Sequence, residues 1–434
     1  MKHVAVKPIV LCDCNNFFVS CERIYRPDLQ KKPVIVLSSN DGCVVSRSNE
    51  AKALGIPMGV PFFQVEKACR HYGIAVFSSN FELYQDISSR VIAVMKDNAP
   101  TVEVYSIDEA FLTFDLSSYA HIEEKMAQIR KQVYQWIGIP VSIGAASSKT
   151  LTKLAAEYGK KHEETGGCYS LLSLASEEMT NFLERVPVGN IWGIGKQLAV
   201  RLGKHRIRTA RELRDVRDER IMKIIGMPGV KTAWELRGIP CIKIKEAETL
   251  QKTLQVSRSF GREIKDVDGI AAAITHFVSS AGIRLRQEKA LAGAISVYIT
   301  TNRFLTPYYS NSAKVLTPYP TNYTPQLIKL ALLGLDRIYK PGYSYTKAGV
   351  TLEDLSSRSY MQRYLFAKDE GDDADKKQTL MDVVDAINEN VGGKIISPAI
   401  LHFNEGKEWA PRSNLKSPAY TTRWEDVPYI ETAD

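Results

Sequence analysis

Residues 104–114, VYSIDEAFLTF, set two carboxylates, Asp108 and Glu109, side by side in an apolar, β-prone run. A buried carboxylate has to be neutralised, paired with a cation or bound to a metal. A solvated turn or a structural ion pair would account for these two alone. Far earlier in the chain, PIVLCDC (8–14) ends another apolar run on a carboxylate, Asp13. Brought together, the three would offer hard oxygen ligands, the preference of Mg²⁺ and not of zinc. Two such ions about 3.5–4 Å apart serve in-line phosphoryl transfer.

Whether they meet depends on the elements that carry them. PIVLC (8–12) is a short continuous apolar run, suited to a strand buried on both faces. Residues 81–100 have helical spacing, with Asn80 as cap and Pro100 beyond the end. TVEVYSIDEAFLTF (101–114) reads as two strand halves about a polar turn at Ser106 to Glu109. A helix over 122–138 and a strand over 140–146 follow. The order is β-α-β-β-α-β, the ferredoxin-like arrangement. In it the first and third strands lie side by side and antiparallel, so the end of one meets the start of the other. That places Asp13 beside Asp108 and Glu109. Residues 20–79, inserted after the first strand, carry strand signals (PVIVLS, IAVFSS) and a short helix (SNEAKALG) of their own.

A triphosphate substrate would also need cations. CVVSRSNEAKALGIP (43–57) offers Ser46, Arg47, Asn49 and Lys52, and SSKTLTKLAAEYGKK (147–161) offers Lys149, Lys153, Lys160 and Lys161. Lysines and backbone amides are the ordinary phosphate ligands, although a surface lysine is more often merely solvated. Beyond residue 170 the chain turns helical and basic: 186–216 reads as two amphipathic stretches joined by GIG, with a second turn at 226–238. IWGIGKQL (191–198) has the form of a helix-hairpin-helix. Gly193 and Gly195 would let the backbone approach a DNA phosphate beside Lys196, a grip that reads no sequence. The alternative is a plain helix–helix turn. From 244 to 355 β-like and helical runs alternate, and KDEGDDADKK (368–377) is expected to be a linker.

The bulk composition bounds the rest. A chain of 434 residues is too long for one ordinary core, which predicts three or four domains. Lys and Arg outnumber Asp and Glu by 57 to 49, a net charge of +8 that allows an anionic partner without requiring one. The seven cysteines include no CxxC pair, which excludes an ordinary zinc site and suits reduced thiols. With no secretory leader and no run of about 20 apolar residues, the expectation is a cytoplasmic protein.

CDCNNFFVSCE, YSIDEAF, NDGCVVSRSNEAKALGIPMG, SSKTLTKLAAEYGKK and WGIGK, in this order, resemble the Y-family DNA polymerases. More narrowly they resemble the UmuC-like catalytic subunits of bacterial DNA polymerase V. SRSFGREI, YYSNSAKV and TKAGVTLEDL extend that resemblance through about residue 355, and SPAYTTRW (417–424) fits it further on. The resemblance implies an α+β multidomain, right-hand polymerase: a ferredoxin-like palm (8–19 and 80–185), small inserted fingers (20–79), a helical helix-hairpin-helix thumb (186–243), an α/β little finger (244–355) and a C-terminal clamp- and partner-binding tail (356–434). The activity implied is error-prone translesion synthesis in SOS repair and mutagenesis. Small fingers enclose the nascent base pair loosely, so discrimination rests on modest energy differences.

Carried over by position, Asp13, Asp108 and Glu109 would hold two Mg²⁺ with the carbonyl of Cys14. Phe17, Phe18, Ser46, Asn49, Lys52 and Lys160 would meet the incoming nucleotide. Phe18 falls where the family keeps an aromatic steric gate against a 2′-hydroxyl; the polymerase V branch typically has Tyr there, so the bulk stays and the hydroxyl is lost. QRYLF (362–366) resembles a sliding-clamp peptide, with Gln362 hydrogen-bonding and Leu365 and Phe366 filling an apolar groove. The same resemblance implies primer-template DNA, deoxynucleoside triphosphates, a UmuD′-like dimer and RecA as partners. Two rivals are a nucleotide cyclase on the same sheet and a DNA-binding accessory protein with an inactive palm.

Overall fold

The computed structural model describes residues 7–114, 119–245, 251–358, 371–391, 395–403, 409–410 and 412–429. It divides into two units, one of residues 1–38, 42–247 and 415–434, the other of 39–41 and 248–414.

The first unit opens with β1 (Ile9–Cys14) and α1 (Phe17–Tyr25). A small lobe follows: β2 (Val34–Leu37), β3 (Val44–Arg47), α2 (Asn49–Ala53), α3 (Phe62–His71) and β4 (Ala75–Ser78), with strands in the order β3-β2-β4. Then come α4 (Phe81–Asn98), β5 (Thr101–Val104), β6 (Glu109–Thr113), α5 (Tyr119–Ile137), β7 (Val141–Ala146), α6 (Lys149–Lys161) and β8 (Cys168–Ser170). Their sheet runs β5-β6-β1-β7-β8, the expected order with β8 added parallel to β7 at one edge.

Central β1 is buried between two antiparallel neighbours, which is why its sequence is almost continuously apolar. The Asn80 side chain caps α4, accepting from the Leu83 amide. On the opposite side of the sheet from α4 and α5, α6 lies close against β7 because Gly144 has no Cβ. A methyl there would collide with the backbone of Thr152 and Ala156. That close approach brings the lysines of α6 to the sheet.

The remainder of this unit is helical: α7 (Ser176–Glu184), α8 (Lys196–Lys204), α9 (Ala210–Asp215) and α10 (Asp218–Leu236). One expectation is corrected. Residues preceding the GIG turn form a short 3-10 turn, Val188–Asn190, and no amphipathic helix, since Pro187 and the glycines beyond break the run. The second expected turn is a kink within α10, at Gly226 with φ of 73°.

The second unit comprises β9 (Leu254–Ile264), α11 (Val267–Gln287), β10 (Ala290–Thr301), β11 (Ser310–Thr321), α12 (Thr324–Ile338) and β12 (Tyr345–Ser357), in sheet order β11-β10-β12-β9. Strand β11 contains Pro318 and Pro320 and accordingly sits at an edge. A helix, α13 (Gly371–Asn390), occupies most of the acidic stretch read as a linker, so that expectation fails from residue 371 onward. Acidic residues are favoured at helix starts by the backbone dipole, so a charged run is poor evidence of disorder.

Candidate active site

Asp13 and Glu109 are direct partners across the β1–β6 register. Just before Glu109, the Asp108 carbonyl accepts a hydrogen bond from the Cys14 amide at 2.8 Å, and its Oδ1 accepts from Ser106 Oγ at 2.5 Å. The end of β1 and the start of β6 therefore bring all three carboxylates to one sheet edge. Each of the two paired acids also holds a lysine of α6: Lys160 Nζ lies 2.7 Å from Asp13 Oδ1, and Lys153 Nζ lies 2.6 Å from Glu109 Oε2. Lys153 is further held over the Tyr105 ring, 4.5 Å from its centroid, and over Trp192 at 5.4 Å. A cleft of about 340 Å³ is lined by Asp13, Glu109, Lys153, Glu157, Lys160 and Trp192, among others.

Burial pushes the Asp13 carboxyl up to about 6, with Lys160 opposing and Glu109 adding to the rise. Burial is the main cause, and Lys160 offsets only part of it. Among the described residues no three His, Cys, Asp or Glu side chains stand as a ready-made metal cage; Asp13 and Glu109 each hold a lysine, and Asp108 accepts from Ser106. The donor set nonetheless suits a hard divalent cation: carboxylate oxygens in a partly buried, electron-rich cleft.

A second group adjoins the first. Asn16, in a left-handed conformation with φ of 47°, caps α1. Its side chain receives Lys52 Nζ at 2.6 Å and donates to Asn49 Oδ1 at 3.1 Å. The Lys52 ammonium is pushed down by burial and by the nearby charges of Lys160 and Arg47. Ser46 is buried on β3, and Arg47 donates to the Ile56 carbonyl. Phe18 is half-buried, stacked on Tyr84 with centroids 4.5 Å apart and meeting Phe81 edge-on at 5.9 Å. Phe17 and Cys14 point into the core instead.

Gly193 takes φ of +86°, and exposed Gly195 caps α8, ahead of exposed Lys196, without a side-chain bond. Gln362, Leu365 and Phe366 lie outside the described residues. Sequence reasoning missed Asn16, Tyr84, Tyr105 and Trp192; doubled Asn15–Asn16 ahead of Phe17 and Phe18 was the one usable signal.

The fold is that of the Y-family DNA polymerases. A Y-family DNA polymerase chimera matches at a TM-score of 0.65 with 21% identity, over 81% of this chain and 99% of that one. The insertion ternary complex of Dbh DNA polymerase matches at 0.55 with 20% identity, over 81% and 99%. The chain belongs to the impB/mucB/samB family: residues 12–157 match that family and 251–365 its C-terminal domain, while 378–430 match a domain of unknown function. Protein ImpB of Salmonella typhimurium is 37% identical over 96% of this chain and 98% of its own length, and Protein UmuC of the same species is 36% identical over the same shares. DNA polymerase IV of Brucella melitensis is 30% identical over 67% of this chain and 64% of its own.

Proposed function

We propose that this chain is a DNA-directed DNA polymerase of the translesion class, adding deoxynucleotides to a primer 3′ end in SOS repair and mutagenesis. The observation that carries the reading is the convergence of Asp13, Asp108 and Glu109 at one sheet edge, beside a cluster of lysines, in a chain of this family. Asp13, Asp108 and Glu109, with the Cys14 carbonyl, would hold two Mg²⁺. When bound, these ions supply the Lewis acidity that activates an attacking hydroxyl and steadies the leaving pyrophosphate.

The chain's own residues do the rest. Lys160 of α6 and Lys52, with Ser46 and Asn49, supply charge and hydrogen bonds to the triphosphate, and Arg47 stiffens the lobe that carries Ser46, Asn49 and Lys52. The Phe18 ring packs under the sugar and excludes a 2′-hydroxyl, with Phe17 fixing the helix from the core side. We assign residues 8–19 and 80–185 to the palm, 20–79 to the fingers, 186–243 to the thumb, 244–355 to the little finger and 356–434 to the tail.

Template DNA is gripped without reading its sequence. Gly193, Gly195 and Lys196 present backbone and charge to a phosphate. In the second unit, Arg258, Arg284 and Lys347 line a shallow polar groove with Gln255 and Ser257. Binding should weaken steeply with salt. The sliding clamp, docked through Gln362, Leu365 and Phe366, a UmuD′-like dimer and RecA are proposed partners on the resemblance alone. Among the described residues no helix is long and apolar enough to cross a membrane, which suits work in the cytoplasm. Templated extension of a primer by the purified chain with Mg²⁺ and four deoxynucleotides tests the reading. A nucleotide cyclase or an inactive accessory protein would leave the primer unextended.

A further inference from the structure

The C-terminal segment reaches back to the helix that carries the gate. Leu415 exchanges backbone and side-chain bonds with Ser78 at the end of β4: the Ser78 amide donates to the Leu415 carbonyl at 3.0 Å, and the Leu415 amide to Ser78 Oγ at 2.9 Å. Two residues on, Ser417 is buried at 7% exposure while its neighbours Lys416 and Pro418 are exposed. The Asn80 side chain donates to Ser417 Oγ at 3.0 Å, and Ser417 Oγ donates to Glu22 Oε1 at 3.2 Å. Tyr420 then stacks on Tyr25, with centroids 4.5 Å apart and planes 9° from parallel. Lys416 pairs with Glu82 at 3.1 Å.

Glu22 is the pivot. It is wholly buried on α1, one helical turn after Phe18. Its Oε1 accepts from Tyr84 Oη at 2.7 Å as well as from Ser417, whereas its Oε2 has no partner among the described residues. Tyr84 in turn is the ring on which Phe18 stacks. One of the two donors that hold this buried carboxyl therefore comes from the tail. Burial keeps the Glu22 carboxyl above its usual range, with Tyr84 and Ser417 opposing that rise.

We propose that residues 415–420 form a clasp on α1 and the start of α4, which through Ser417, Glu22 and Tyr84 sets the position of the Phe18 ring and so the sugar selectivity of the nucleotide site. This rests on the polymerase reading. Ser417 is a positioning residue, buried and acting through Glu22 and Tyr84. The clasp lies within the matched domain of unknown function and gives part of that domain a role in nucleotide choice.

The test uses the full chain with Ser417→Ala, Ser417→Thr and Tyr420→Leu. Hydrogen exchange of peptides from 17–25 and 81–90 is read first, since it needs no catalysis. Losing one hydrogen bond should speed exchange there about three- to tenfold in Ser417→Ala. Tyr420→Leu should act in the same direction, and Ser417→Thr, which keeps the hydroxyl, should stay near wild type. The ratio of kcat/KM for deoxy- over ribonucleotides should fall by a similar factor in the first and third variants. Unchanged exchange in both would overturn the clasp. Faster exchange with an unchanged ratio in an active enzyme would overturn its action on the gate. A wild-type chain that extends no primer even with clamp and accessory subunits would overturn the polymerase reading and the selectivity role with it, leaving the exchange result to show the contact by itself.

Discussion

Helix α6 sends lysines to three carboxylates on the same sheet, and the first and last of these pairings differ in kind. Lys149 reaches Glu103 on β5 at 2.5 Å, with side chains only 2% and 9% exposed. Every contact there is closed: Lys149 also donates to the Lys243 carbonyl and lies over the Phe111 ring, and the Lys245 amide donates to Glu103. Lys160 and Asp13 are 27% and 20% exposed and border the cleft. A closed pair of this sort ties chain segments together and cannot be lent to a ligand. An open pair can be. One residue type, one helix and one sheet serve both structure and chemistry, and access to the cleft decides which.

The comparison can be broken by substitution. Lys149→Ala leaves the Glu103 charge buried without its cation and should cost about 3–5 kcal/mol of stability, read by denaturant unfolding. A loss below about 1 kcal/mol would show that the pair is not closed. Lys160→Ala should do the reverse, with stability changed by about 1 kcal/mol or less. Its KM for deoxynucleotides should rise roughly a hundredfold, about 2.7 kcal/mol of binding. Equal KM values would remove Lys160 from the triphosphate site. Phe18→Ala, on the open side, should relax deoxy-over-ribo preference by about tenfold in competitive incorporation, since a pocket rejects by bulk only modestly. Smallest is the paired change of Leu365 and Phe366 to Ala, which should reduce stimulation by the sliding clamp a few-fold. Undiminished stimulation would discard the docking peptide.

How much of this was legible beforehand follows from the physics of each element. That Asp13 meets Glu109 was readable, because the βαββαβ order forces β1 and β6 together and the register follows from their buried runs. Which lysine meets which acid was not. It depends on how closely α6 lies to β7, which Gly144 sets through space and not through pattern. Strand β11 escaped notice because its prolines disguise an edge strand. The clasp escaped because one buried serine in an irregular, exposed stretch has no periodicity to betray it.

The central claim is that the carboxylates at the β1–β6 edge perform nucleotidyl transfer. Its most direct test compares wild type with Asp108→Ala in primer extension on undamaged and abasic templates, with Mg²⁺, clamp and accessory subunits present. Extension by wild type on both templates, lost in Asp108→Ala while DNA affinity stays near wild type, is the predicted result. Near-wild-type synthesis by Asp108→Ala would contradict it.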